Sequence, residues 1–219
     1  DEGNFLLIDT AGIKRKGKTK QVLDKFSVIM ALKALDRCDI AVILVDGLEG
    51  MTDQDATIAG YAYERGRGCI VAINKWDLAQ PRGITKVEIE QQIKEKYKFL
   101  DFAPIVALSA LTGYGVDKLL PQVGLVCEEY RKNIPTGRLN DCFDQAIEKN
   151  PISSYRGKFV KVHYATQIKN RPPTFKCFVN YPQGIHFSYK RYLINSLRKT
   201  FGFYGAPVRL IFSGKSKRI

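Results

Sequence analysis

A chain of 219 residues with 45% hydrophobic content can bury a sizeable core in two domains, and no run approaches the ~18 apolar residues of a membrane span, so no membrane partner is expected. Five scattered cysteines and two histidines without a cysteine or carboxylate at ligand spacing argue for reduced core thiols, and against a disulfide framework, a metal centre or Cys/His catalysis. The net charge of +13 sits on residues 136–219, with 16 Lys and Arg against 3 Asp and Glu, while residues 1–135 balance 19 against 19. That asymmetry predicts a separate domain facing a polyanion.

In chain order, Asn4–Ile8 reads as a short apolar strand, followed by Asp9-Thr10-Ala11-Gly12. An aspartate at a strand tip suits a magnesium-bound nucleotide, with Asp9 holding the ion through water. The Gly12 N–H suits a terminal phosphate. A basic loop from Lys14 to Lys20 follows, read either as a solvated loop or as a segment that orders around phosphate and offers charge to RNA. A helix is expected from Val22 to Arg37, with Val22, Phe26, Ile29 and Met30 forming its core face. Ile40–Val45 is a buried strand, and Asp53–Arg65 a helix capped by Thr52 with Asp55 completing the box.

Cys69–Ile73 is a second buried strand, and Asn74-Lys75-Trp76-Asp77 lies at its carboxyl end, where open α/β sheets bind ligands. Each residue type there suits guanine. The Asp77 carboxylate can accept from two neighbouring base N–H groups. The Lys75 stem can lie along the ring face, and Asn74 can pin the loop. A helix over Thr85–Lys98, a strand over Pro104–Leu108 with Ser109-Ala110-Leu111 at its tip, and a helix over Val116–Lys132 complete the alternation. The pattern predicts an α/β domain with a mostly parallel sheet covered on both faces, its loops converging on one edge.

Pro135-Thr136-Gly137 marks the expected boundary, giving domains at 1–134 and 135–219. Beyond it come a helix over Thr136–Lys149, strands over Phe159–Gln167 and Thr174–Tyr181, a helix over Tyr189–Phe201, a strand over Pro207–Ser213 and a basic tail. This order fits a small α+β domain. Gly202-Phe203-Tyr204-Gly205 joins a helix to a strand, so it reads as a helix cap and turn rather than an RNA clamp. Phe159, Tyr164, Phe175, Phe178, Tyr181 and Phe187 are read as core side chains in preference to base-stacking platforms, the other reading open to them. Lys158, Lys161, Lys190, Arg191, Arg198, Lys199, Lys215, Lys217 and Arg218 are the candidate RNA-binding cations, expected to meet the RNA backbone with steep salt dependence.

These residues resemble the second GTPase domain and C-terminal KH-like domain of the EngA/Der family, double-GTPase ribosome-assembly factors. The resemblance runs through Asp-Thr-Ala-Gly-Ile at 9–13, Asn-Lys-Trp-Asp at 74–77 and Ser-Ala-Leu-Thr-Gly at 109–113. It continues in Tyr-Ala-Thr-Gln at 164–167, Arg-Pro-Pro-Thr-Phe at 171–175 and His-Phe-Ser-Tyr at 186–189. It implies a Ras-like GTPase domain with GTP or GDP at Asp9–Ile13, Asn74–Asp77 and Ser109–Leu111, with Mg2+ at Asp9. It also implies a cytoplasmic setting, the large ribosomal subunit and its rRNA as partners, and a first GTPase domain packing intramolecularly. No Gly-x-x-x-x-Gly-Lys-Ser/Thr loop occurs in the 219 residues. The family carries that loop upstream, so the chain is expected to be a fragment that grips guanine but holds triphosphate poorly. Ile13 stands where Ras-like enzymes place a water-orienting glutamine. The resemblance implies that a monovalent cation, K+, supports hydrolysis instead.

Two other readings compete. One is an RNA-binding adaptor whose nucleotide site is inactive or incomplete. The other is an ATP-using α/β enzyme, disfavoured because Asp77 suits guanine donors and repels the adenine acceptor.

Overall fold

The computed structural model describes residues 4–9 and 21–214, with side chains from residue 29 onward in the second stretch. Helix α1 spans Gln21–Arg37, β1 Ile40–Asp46, α2 Asp53–Glu64, β2 Gly68–Asn74 and the one-turn α3 Trp76–Ala79. Helix α4 covers Lys86–Lys96, β3 Ile105–Ala107 and α5 Leu119–Arg131. The three strands pair in parallel in the order β1-β2-β3, with Asp46 beside Asn74 at the ends of β1 and β2. Both long α/β crossovers carry well-formed starts. Thr52 accepts from the Asp55 N–H and Asp55 returns the bond, and Thr85 and Glu88 do the same at α4.

The sheet is apolar on both sides because β2 alternates between two cores. Cys69, Val71 and Ile73 join Ala41, Ile43 and Val45 under α2 and α4, while Ile70 and Val106 meet Val126 of α5. On the α5 side, Val42 and Leu44 of β1 are exposed.

Two expectations about this region are corrected. Residues 4–8 form no strand, and Leu6 and Leu7 are 83% and 89% exposed. An extended run becomes a strand only with a neighbour to pair with, and the described sheet ends at β1. In α1, Ile29 and Met30 are exposed, whereas Ala31 and Leu35 are buried. Apolar residues occupy both sides of this helix, and the side that packs is the one bearing the shorter Ala31. Val22 and Phe26 lie outside the described side chains.

Packing divides the chain into one unit over Asp1–Glu128 and a second over Glu129–Ile219. The division falls in the last turn of α5 rather than at residue 135, because Tyr130 and Ile134 are buried in the second core. The second unit contains α6 (Thr136–Lys149), β4 (Val162–Asn170), β5 (Pro173–Val179), α7 (Phe187–Phe201) and β6 (Arg209–Gly214). Strand β5 is central, antiparallel to β4 and parallel to β6. Leu139 and Phe143 of α6 and Leu193 and Leu197 of α7 cover one sheet face, which presents Ala165, Phe175, Cys177 and Leu210. Thr136 is the first residue of α6, and α7 begins earlier than expected because His186 accepts the Ser188 N–H.

Burial pushes the Cys69 and Cys177 thiols up to about 12, from an ordinary 9.0. The folded state therefore keeps protons that the unfolded chain loses above pH 9. Stability is fully present below that pH and falls as pH rises through the window, by up to about 1.4 kcal/mol per pH unit for each thiol. Urea midpoints at pH 8 and pH 10 measure this, and the Cys177→Ala variant shows the shallower decline. Equal slopes for the variant and its parent would contradict the linkage.

Candidate guanine-nucleotide site

Strands β2 and β3 end side by side, and the polar loops that follow them are tied together atom by atom. The Asn74 side-chain oxygen accepts the Ala110 N–H at 2.9 Å. Trp76 N–H donates to Leu108 O at 3.1 Å, and Leu108 N–H donates to Ile73 O at 2.8 Å. Asn74 thus acts as the expected pin. Its own carbonyl accepts the Gly47 N–H at 2.8 Å, an approach that leaves no room for a Cβ at residue 47, which would lie 2.9 Å from that oxygen.

Lys75 takes the left-handed conformation (φ 61°), which turns the chain sharply before α3. Its ammonium pairs with Asp46 Oδ2 at 2.7 Å, and Asp46 Oδ1 accepts the Leu48 N–H at 2.9 Å. Read from sequence, Asp46 is a strand end with no role. Its signal is the register opposite Asn74, which becomes visible only once the strands are paired.

Asp77 sits in the single turn of α3, and its Oδ1 is buried with no hydrogen-bond partner among the described residues. A buried, unpaired carboxylate oxygen is costly unless something donates to it. The remaining loop is built around Ser109, which is fully buried. Its N–H donates to Tyr114 O at 2.8 Å, its Oγ accepts the Thr112 N–H at 3.2 Å, and its carbonyl accepts the Gly113 N–H at 2.9 Å. Ala110 is exposed beside Asn74, and Leu111 is 87% exposed.

Gly115 closes this loop with φ 70°, and a Cβ there would lie 2.4 Å from Ala107 O on β3. Gly115→Ala must move that backbone or abandon the left-handed conformation, so a loss of about 2 kcal/mol or more is expected. Thermal melting checks the stability, and the amide shifts of Ser109 and Ala110 report the displaced loop. Wild-type melting and unchanged shifts would show that the close approach does not hold the loop.

Not every expected site residue faces outward. The Trp76 ring is 7% exposed and packs in the first core, so only its backbone serves the loop. Asp9 is exposed, and among the described residues no hydrogen bond or ion pair joins it to these loops. Thr10, Ala11, Gly12 and Ile13 lie outside the described residues. Among the described residues, no group of three or more His, Cys, Asp or Glu could hold a metal.

The expected RNA-binding cations are also sorted by the structure. Lys158, Lys161, Lys190, Arg191 and Lys199 are exposed. Arg198 is instead committed to the fold, its guanidinium donating to Phe203 O at 2.7 Å and Ala206 O at 2.9 Å. Those bonds fasten the Gly202–Gly205 turn, whose Phe203 N–H donates to Glu129 at 2.5 Å. Lys215, Lys217 and Arg218 lie outside the described residues.

Residues 4–129 match the family described as the elongation factor Tu GTP binding domain. Residues 133–213 match the KH-domain-like C-terminal region of EngA bacterial GTPase enzymes. "GTPase Der" of Citrifermentans bemidjiense is 47% identical over 214 residues, covering 98% of this chain and 49% of that protein. "GTPase Der" of Geotalea uraniireducens is 45% identical over 214 residues, covering 98% of this chain and 48% of its own length. The chain thus spans about half the length of the curated relatives it matches. Among solved structures, Aquifex aeolicus Era bound to GDP and AlF4- is similar at 20% identity and a TM-score of 0.43, covering 94% of this chain and 75% of that one.

Proposed function

Because the chain belongs to the EngA/Der family of GTPases, we propose that it is part of a GTP-binding and GTP-hydrolysing switch in assembly of the large ribosomal subunit. The observation that carries the nucleotide reading is the buried Asp77 Oδ1, which has no partner among the described residues, beside a loop pair pinned by Asn74. A guanine base offers adjacent N–H donors at its N1 and N2 positions, and a fixed carboxylate is the acceptor they need. Adenine presents an acceptor at the equivalent ring nitrogen and is repelled. Lys75, steadied by Asp46, lays its stem along the ring.

Bound GTP with its magnesium ion supplies the phosphoanhydride that is cleaved. Asp9 would hold the ion, and the Gly12 N–H would serve the terminal phosphate. Ile13 cannot orient the attacking water, so intrinsic hydrolysis is slow and potassium accelerates it. Hydrolysis by the full-length protein in matched potassium and sodium buffers tests this: the potassium rate is higher, and equal rates would remove the idea.

The second unit contacts rRNA in the cytoplasm, and a first GTPase domain of the full-length protein packs against the rest. The support for the RNA contact is the +13 charge confined to residues 136–219. Affinity for RNA falls steeply between low and high salt. RNA binding without any guanine-nucleotide binding in the full-length protein would favour the adaptor reading.

A further inference from the structure

The helices of the second unit cover one face of its sheet and leave the other open. In the β4–β5 register Ala165 faces Cys177 and Gln167 faces Phe175, and the helix-covered core contains Ala165, Phe175 and Cys177. Alternation places Tyr164 and Phe178, also a facing pair, on the opposite side with Lys176. Ile211 and Arg209 of β6 extend this side, paired with Lys176 and Thr174. Tyr164 is 46% and Ile211 45% exposed, and no helix among the described residues lies over them. This corrects the expectation that Tyr164 and Phe178 are core. Phe159 and Phe187 are exposed as well, whereas Phe175 is fully buried as expected.

The two open-face rings are stacked, centroids 4.7 Å apart and only 6° from parallel. The Lys176 ammonium lies 5.1 Å from the Phe178 centroid. Phe178 therefore has neighbours on two sides, and Tyr164 ends the column with much of its surface in solvent. A flat aromatic column that ends in an open ring and has a cation at its base suits an unpaired nucleobase and its phosphate. A protein partner fits less well, because the surface lies within residues 136–219, which carry 16 cationic against 3 anionic side chains. Among the described residues, no Gly-x-x-Gly turn joins two helices as the clamp of ordinary KH modules does. The Gly202–Gly205 turn leads from α7 into β6, and Arg198 occupies its carbonyls.

We propose that the open face of β4–β5–β6 is a binding platform for single-stranded RNA, in which Tyr164 stacks on an unpaired base and Lys176 meets the adjacent phosphate. The proposal rests on the reading that the second unit contacts RNA, and it moves the specific contact from the cationic helix α7 to the sheet.

The test uses the 219-residue chain and fluorescence anisotropy with a labelled oligouridylate of about 12 nucleotides, alongside a fully paired RNA hairpin. Tyr164→Ala weakens oligouridylate binding roughly 5- to 100-fold, leaves hairpin binding unchanged, and leaves the salt dependence of the remaining affinity intact. Tyr164→Phe keeps the ring and restores binding. Lys176→Ala lowers affinity and reduces the salt slope by about one. A chain that binds oligouridylate equally well with Tyr164→Ala, yet loses it with Lys190→Glu and Arg191→Glu together, would overturn the platform while leaving the RNA reading in place. A parent chain that binds neither RNA would overturn both. Photocrosslinking of the unsubstituted chain to a 4-thiouridine oligonucleotide needs no variant: adducts fall on Tyr164 or Phe178, and adducts confined to α7 contradict the proposal.

Discussion

Asp77→Asn in the full-length protein is expected to weaken GDP by at least about 100-fold, through loss of two charge-assisted hydrogen bonds worth ~1.5–3 kcal/mol each. The same substitution strengthens binding of xanthosine diphosphate. Xanthine replaces the exocyclic amine of guanine with a carbonyl, and the introduced side-chain amide can donate to it while its oxygen still accepts from the ring N–H. Competition calorimetry with the two nucleotides measures the exchange. Stability separates this role from a structural one. Because Asp77 Oδ1 has no protein partner among the described residues, replacing the carboxylate with an isosteric amide removes no internal bond and leaves the melting temperature of the nucleotide-free protein unchanged or slightly higher. A large fall in melting temperature with unaltered GDP affinity would make Asp77 an element of the fold instead.

Phe175→Ala is expected to destabilise the second unit by ~3–5 kcal/mol, the range for emptying a fully buried aromatic position. Phe175 is 0% exposed on the central strand β5, and its ring meets Phe203 edge to face at 5.8 Å. Phe203 sits on the turn held by Arg198 and Glu129, so the cavity would open beside the contact that fastens the last turn of α5 within this unit. Thiol-exchange protection reads the effect by location. Cys142 and Cys177 belong to this core and become reactive, whereas Cys69 lies in the first core and stays protected. Equal loss of protection at all three cysteines would show that the two units do not open separately.

Much of the candidate guanine site was legible because its chemistry sits in contiguous strings. Asn74–Asp77 and Ser109–Leu111 each follow an apolar strand, and parallel pairing alone brings such tips together. Short-range chemistry was equally readable: both capping boxes are written in residues three apart. What escaped depended on partners distant in sequence. Asp46 meets Lys75 only through the β1–β2 register, and Trp76 turns inward because the first core needs its volume. Asn4–Ile8 has the composition of a strand, but a strand is a property of pairs. Arg198 looked like a surface cation because nothing local announces that two carbonyls await its guanidinium. The aromatics of β4 and β5 alternate between faces, and composition does not say which face the helices will cover. In each case an apolar or charged side chain was read by type, and its role was decided by which neighbour reached it first.

The most direct test of the central claim is a titration of the 15N-labelled 219-residue chain with guanosine monophosphate, followed by the backbone amide shifts of Trp76, Asp77 and Ala110. Saturable shifts at these three amides, lost in Asp77→Ala and not reproduced by adenosine monophosphate, are the predicted result. Shifts that avoid these loops, or that adenosine monophosphate reproduces at equal concentration, would contradict a guanine site built from the ends of β2 and β3.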